Sequence, residues 1–572
     1  MNDLVIKNAR VVDGTGAAPY HADVAVTGDR ISGIGRDVGA GRRTLDADGA
    51  LLTPGFVDIH THYDGQATWD PILAPSSWHG VTTVVVGNCG VGFAPVRPDR
   101  HEWLIGLMEG VEDIPGSALA EGITWEWESF PQFLDALERM PRTMDLGTQV
   151  PHGAVRAYVM GERGARNEPA TAGDIAAMKA IVKQGVAAGA LGFSTSRTLA
   201  HRAIDGEPVP GTFAAEEELF GIGEALRELG TGVYEIAPVG AAGEDVNAPP
   251  DEVRWMRRLS EATGRPVSFA LLQVDAAPDL WRELMELSAG TEAQMFPQVA
   301  ARPFGMLIGL ETLHAFGDHP TYVSELSLLP LPERVARMRD PEVRARILAE
   351  RPVEEDVLAG MVRGYLDRLF PLDGDRPDYE PAPDESVAAR AAATGRDPLE
   401  MLYDLLLEDD GRNLMLLPLL NYSERSLDSV REMLTHPRAV LGLGDGGAHC
   451  GFICDASLPT TMLSHWARDR RRGETLPLEH VVRLMTRDTA RLYGLADSGV
   501  IAEGTKADLN LIDFDRVANH RPEMLYDLPA GGRRLVQRAD GYLATFVSGT
   551  QTFANGEHTG ELPGRLVRGA HR

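Results

Sequence analysis

The chain has 572 residues, and 84 acidic against 55 basic side chains leave a formal net charge of −29. That balance argues against sequence-independent nucleic-acid binding and against attraction to an anionic membrane, because both need a basic surface. Three cysteines, Cys89, Cys450 and Cys454, are too few for a disulfide framework and fit a reducing cytoplasm, and no apolar run reaches the roughly 18 to 20 residues of a membrane helix.

The opening Asp3-Leu4-Val5-Ile6-Lys7 reads as a strand rather than a secretory leader, so a cytoplasmic location is expected. Up to about residue 55, short β-like runs such as Val24-Ala25-Val26 and Ile31-Ser32-Gly33-Ile34 alternate with Gly and Asp turns. From Phe56 the pattern changes to strand followed by helix. Thr82 to Val86 and Leu146 to Val150 read as strands. Thr171 to Ala188 carries one apolar face on Ile175, Met178, Val182 and Val186, with Thr171 as N-cap and Gly189 just past the end. Further helix-to-strand units run from Glu216 through Glu235 and from Asp251 through Phe269. Repeated alternation of this kind implies a parallel sheet, and over this length a closed (β/α)8 barrel is the economical solution.

From about 300 to 412 the alternation gives way to helical sequence broken by Pro371, Pro377, Pro381 and Pro383, the composition expected of an insertion over the barrel mouth. Barrel alternation is expected to resume at Met415-Leu416-Leu417 and at Ala439 to Leu443, followed by a helix from about Leu478 to Tyr493. The tail from Gly499 returns to short strands. The expected architecture is therefore an α/β (β/α)8 TIM-like barrel over 56–498, with a small β-sandwich side domain built from 1–55 and 499–572.

Chemistry concentrates at the end of the first barrel strand, Pro54-Gly55-Phe56-Val57-Asp58-Ile59-His60-Thr61-His62. Side chains on a strand alternate faces, so His60 and His62 project the same way, as two imidazole ligands of one ion do. Alone, a His-x-His pair is ordinary polar sequence. Its place at the end of an apolar strand after a Pro-Gly turn favours a metal site. By the same standard Asp445, in Gly444-Asp445-Gly446, is a turn residue, and Cys89, in Asn88-Cys89-Gly90, is a small buried hydrophobe.

Taken together, Pro54 to Asp64, Gly87-Asn88-Cys89-Gly90, Leu191-Gly192-Phe193-Ser194-Thr195, His436-Pro437-Arg438, Gly444-Asp445-Gly446 and Gly504 to Leu509 resemble the amidohydrolase superfamily, in its N-acyl-D-amino-acid deacylase branch. The resemblance implies one or two zinc ions at the carboxyl ends of the barrel strands. It implies His60 and His62 as ligands, Cys89 as thiolate ligand, and Asp445 as ligand and proton carrier. Lewis acidity that lowers the pKa of water to about 7, beside a carboxylate that moves the proton, is the chemistry such a set performs.

The sequence departs from that branch where it supplies histidines on the fifth and sixth strands. Here those stretches read Tyr234-Glu235-Ile236-Ala237 and Phe269-Ala270-Leu271-Leu272-Gln273. Glu235 and Gln273 offer oxygen in place of imidazole, so a single ion, zinc by expectation, is favoured. The branch's lysine and tyrosines that grip a substrate carboxylate are also replaced. His152, Arg197, His201 and His449 are the candidates to meet substrate instead. His449, Cys450 and Cys454 match no structural-zinc spacing.

The expected activity is metal-dependent hydrolysis of a non-peptide C–N bond in an N-acyl amino acid. The alternatives are cyclic amides, imides or other acyl derivatives, or an inactive barrel retained as a binding protein. The expected partner is a small acyl-amide substrate, without nucleic acid or membrane, and with self-association into a homo-oligomer left open.

Overall fold

The computed structural model describes residues 1–290 and 292–569. Eight parallel strands form its centre: Phe56–Asp58, Val81–Val86, Asp145–Thr148 continued by Val150–Pro151, Gly192–Ser196, Val233–Ala237, Val267–Ala270, Met295–Val299 and Val440–Leu441. The eighth returns to the first through the bridge between Thr61 and Gly446. Beside it the Asp445 N–H donates to the His60 carbonyl (3.0 Å) and the His62 N–H to the Gly446 carbonyl (2.8 Å). The closure thus runs through the candidate metal residues themselves.

Parallel strands covered by helices are buried on both faces and need no polar alternation. Val81–Val86 is buried at all six positions. The helix Ala172–Ala188 forms where its spacing predicts: Thr171 and Asp174 make a reciprocal capping box, and Gly189 follows the last turn. Its buried Met178, Val182 and Val186 each contribute about 1.5 to 3 kcal/mol by removal from water.

Strands from both chain ends pair in one sheet. The N-terminal Asn2–Val11, Tyr20–Thr27, Arg30–Gly35, Gly41–Asp46 and Leu51–Pro54 join Leu509–Ile512, Tyr542–Val547, Thr550–Ala554 and Glu557–His558. Leu51–Pro54 and Leu509–Ile512 form the antiparallel seam between the two ends, and Ile6, Val24, Leu52, Leu509 and Phe546 lie in its core. No helix among the described residues is long and apolar enough to cross a membrane.

Two segments differ from the sequence reading. Met415–Leu420 is a strand but not a barrel strand: it pairs antiparallel with Phe304–Ile308, and Phe370–Pro371 pairs with its first residues. The excursion from the barrel therefore extends past 412 to about 420. Its apolar run marks a buried strand without naming the partner, since periodicity carries no pairing information. The stretch 513–541, assigned with the tail to the side domain, instead reaches back to the barrel. There Leu535 N–H donates to the Cys450 carbonyl (2.8 Å), and the Gln537 carbonyl meets His79 Nε2 (2.8 Å). Residues 570–572 of that tail lie outside the described residues.

Candidate metal centre

His60 and His62 emerge from the end of the first strand, fully buried, with ring centroids 5.4 Å apart. His60 Nδ1 lies 2.8 Å from Gln298 Oε1 on the seventh strand, while Gln298 Nε2 donates to Ser268 Oγ (3.0 Å). With the amide nitrogen committed to Ser268, the amide oxygen faces the ring, so Nδ1 carries the proton and Nε2 presents its lone pair. That Nε2 faces Cys89 Sγ at 3.3 Å and Asp445 Oδ1 at 3.5 Å. His62 Nε2 points to the same carboxylate oxygen, 3.8 Å away. Two imidazoles from one strand and a carboxylate from the far side of the barrel closure share one small space.

The backbone is held in unusual shapes to achieve this. Cys89, Asp445 and His449 all have positive φ, at 55°, 47° and 53°, a region that costs a non-glycine residue about 1 to 3 kcal/mol and clusters at functional sites. Asn88 secures the Cys89 turn by donating to the carbonyls of Thr61 (3.1 Å) and Val85 (2.9 Å). Gly444 lets Asp445 approach, because a Cβ there would sit 2.8 Å from Asp58 Oδ2.

Glu235, on the fifth strand where the resemblance implies histidine, belongs to the same space. Its Oε2 accepts from the Cys89 N–H (3.0 Å), and its Oε1 lies 3.9 Å from His60 Nδ1 without a hydrogen-bond partner. Glu112, which nothing in the sequence singled out, places Oε1 3.3 Å from His62 Nδ1 from the end of the helix His101–Glu112. Asp64 is buried nearby with Oδ2 unpartnered.

Burial dominates the electrostatics. It pushes Glu235 up to about 8 and Asp64 to about 7. Burial, joined by repulsion among Asp445, Asp64, Glu235 and Glu112, holds Glu112 and the Cys89 thiol well above their usual ranges. Asp445 is raised likewise by burial and by Asp455, Asp58 and Glu235. Burial lowers His60 to about 4 and also holds His62 well below its ordinary value, the latter helped by His60, His449 and His201. Neutral imidazoles beside acids that lack a countercharge are the environment of a cation.

The donors fit one. His60, His62 and Cys89 each offer a ligand atom, all within 4.8 Å of one another. Nitrogen with sulfur suits zinc or a similar borderline-soft ion. The unpartnered Glu112 Oε1, Glu235 Oε1 and Asp64 Oδ2 are the orphaned acceptors that a positive charge among them would satisfy.

The remaining predicted residues divide. His449 is near: Nε2 lies 3.9 Å from Asp445 Oδ2 and 3.8 Å from Glu112 Oε2. His201 sits on the loop after the fourth strand, its Nδ1 3.0 Å from Ser196 Oγ; burial lowers it to about 4, and its proximity helps to lower His60, His62 and His449. His152 is elsewhere engaged, Nδ1 on Thr195 Oγ1 (2.8 Å) and Nε2 on Glu218 Oε1 (3.0 Å), so neither ring nitrogen is left for a ligand. Burial would raise Glu218, but His152 and Arg156 outweigh it and hold the carboxyl at about 2. Arg197 is likewise committed, to Glu252 (2.9 Å) and to the Ala214 carbonyl (2.9 Å), with its guanidinium over Trp255. Gln273 spends its side chain on backbone: Oε1 accepts from Ser423 N–H (3.2 Å) and Nε2 donates to the Pro278 carbonyl (3.2 Å). It ties the sixth strand to the end of the insertion.

The amidohydrolase family profile matches residues 43–553. The chain is 26% identical to the D-aminoacylase of Alcaligenes xylosoxydans xylosoxydans over 567 residues, covering 99% of this chain and 97% of that one. It is 28% identical to the N-acyl-D-glutamate deacylase of the same organism over 527 residues, covering 90% and 88%. A crystal structure of D-aminoacylase superimposes with a TM-score of 0.64 at 24% identity, over 99% of this chain and all of that one. The chain belongs to the amidohydrolase family and is a metal-dependent hydrolase of carbon–nitrogen bonds other than peptide bonds.

Proposed function

We propose that the protein removes the acyl group from N-acyl amino acids, most readily those of D configuration, using one zinc ion held by His60, His62, Cys89 and Asp445. The observation that carries this is the convergence of His60 Nε2 and His62 Nε2 on Asp445 Oδ1, at 3.5 and 3.8 Å, with Cys89 Sγ 3.3 Å from the first ring. The names of relatives that align along nearly the whole chain, D-aminoacylase and N-acyl-D-glutamate deacylase, support the substrate class.

When bound, the ion supplies Lewis acidity that activates water and steadies the oxyanion of the attacked carbonyl. Gln298 holds His60 with its Nε2 lone pair inward. Asp445 takes the proton of the attacking water on a carboxylate oxygen and returns it to the departing amine nitrogen. The second Asp445 oxygen faces His449, which with His201 borders the space left for substrate. Depth excludes bulk water, so the proton moves between side chains and substrate rather than into solvent.

A second reading keeps the machinery and changes the substrate to a cyclic amide or another acyl compound without a free carboxylate. The commitment of Arg197 to Glu252 favours it, since that guanidinium is then not offered to an anion. Turnover of matched N-acetyl-D-, N-acetyl-L-amino acids and cyclic imides by the zinc-loaded enzyme separates the two. Preference for the D-acyl series by tenfold or more supports the first reading, and turnover confined to the cyclic compounds replaces it with the second.

A further inference from the structure

The two histidines of the first strand are not supported alike. His60 is braced from within the barrel by the Gln298–Ser268 pair, and Ser268 Oγ donates in turn to the Phe296 carbonyl (3.1 Å). His62 has no such brace. Its Nδ1 faces only Glu112 Oε1, 3.3 Å away, and neither atom has a hydrogen-bond partner of its own among the described residues. Both side chains are 2% exposed or less, so bulk solvent does not reach them.

Glu112 also holds the last active-site loop. Its backbone carbonyl accepts the His449 N–H, and its Oε2 stands 3.8 Å from His449 Nε2. The next residue, Asp113, extends the attachment, with its carbonyl accepting from Cys450 N–H (3.2 Å) and its Oδ2 from Gly451 N–H (2.7 Å). The end of one helix, His101–Glu112, therefore touches a candidate ligand ring and the loop of a candidate substrate-facing histidine with a single carboxylate.

We propose that Glu112 is a positioning residue that fixes the His62 ring for metal binding and, through the same carboxylate, sets the place of His449. The inference rests on the reading of His62 as a ligand. A carboxylate facing Nδ1 retains the proton there, leaves the Nε2 lone pair aimed at the shared space beside Asp445, and makes that nitrogen a better donor. It performs for His62 what Gln298 performs for His60, with a carboxyl group in place of an amide. Because one oxygen serves His62 and the other His449, loosening Glu112 disturbs ion affinity and substrate affinity together. A residue important only for packing would disturb stability alone.

The test compares wild type, Glu112→Gln, Glu112→Ala and His62→Ala, each metal-stripped and titrated with zinc against a chromophoric chelator. Ion stoichiometry is measured by elemental analysis and folding by far-ultraviolet circular dichroism. Expected are one ion per chain in Glu112→Gln and Glu112→Ala, bound ~10- to 100-fold more weakly than by wild type. The alanine variant is expected to be the weaker of the two, with KM for the best substrate raised in both. Wild-type zinc affinity in the folded glutamine and alanine variants overturns the proposal. So does complete loss of the ion in Glu112→Gln matching His62→Ala, which would make Glu112 a ligand. Should wild type itself bind no ion, the failure lies in the metal reading beneath the proposal, and the same titration shows which has failed.

Discussion

Gly110→Ala isolates the contribution of the His201 loop. Gly110 lies in the last turn of the helix His101–Glu112, where a Cβ would stand 2.3 Å from Ala203 C and Ile204 N and 2.5 Å from the Arg202 carbonyl oxygen. All three obstacles are backbone, so no side chain can rotate away. Relief to an ordinary contact of about 3.4 Å needs a shift of about 1 Å, which strains the Ile204 N–H to Gly106 carbonyl bond (3.0 Å). The loop moves as a unit, because Ala203 N–H is bonded to the Glu207 carbonyl (2.8 Å) and Val209 N–H to the His201 carbonyl (3.2 Å). Overpacking costs about 1 to 3 kcal/mol, and alanine returns about 1 kcal/mol of helix propensity. Ile204 is exposed, so the loop yields, and the net stability loss is about 0 to 2 kcal/mol. Displacement of a substrate-facing group by ~1 Å costs up to about 100-fold in kcat/KM. Steady-state kinetics, elemental analysis and thermal unfolding on one preparation should give a 10- to 100-fold fall in kcat/KM with zinc content unchanged. Activity within twofold of wild type, or parallel loss of the ion, refutes the assignment of that loop to substrate.

Asp445→Asn retains an oxygen near both imidazoles but cannot carry the proton, and kcat should fall about 100- to 10,000-fold with fold intact; a change under tenfold removes Asp445 from proton transfer. Arg197→Ala strips a largely buried carboxylate, Glu252, of its partner and should cost about 2 to 4 kcal/mol in chemical denaturation. KM for N-acyl-D-amino acids should stay within threefold, whereas a large KM effect without destabilisation would return Arg197 to the substrate. His79, held between Thr460 Oγ1 and the Gln537 carbonyl and lowered by burial to about 4, is neutral when folded and protonates near 6.5 when unfolded. Its stabilisation is therefore present above pH 6.5 and is lost as pH falls toward 4. Between pH 7.5 and 5, wild type should lose about 2 kcal/mol more stability than His79→Gln, and equal losses contradict the assignment.

How much of this was legible in the sequence depends on how locally each feature is encoded. The two-residue period of a strand places His60 and His62 on one side without knowledge of the fold. The cap residues Thr171 and Gly189 mark their helix in the same local way. Asp445 and Cys89 carried no such signal, and only the resemblance to a family singled them out. Glu112 was invisible, because a glutamate at the end of an amphipathic helix reads as a solvated residue until the barrel closes over it. Arg197 and His152 illustrate the opposite case: polar residues just past barrel strands suggest substrate contact, and the fold brings Glu252 and Glu218, distant in sequence, to pair with them. Met415–Leu420 was recognisable as a strand, while its antiparallel partner Phe304–Ile308 was not, since pairing is a property of topology.

The account stands on a cation shared by His60, His62 and the residues they face. Elemental analysis of zinc-reconstituted wild type beside the double variant His60→Ala, His62→Ala measures this directly, with circular dichroism to follow the fold. The prediction is close to one ion per wild-type chain and none in a folded double variant. A wild type that retains no stoichiometric ion, or a double variant that keeps it, contradicts the account.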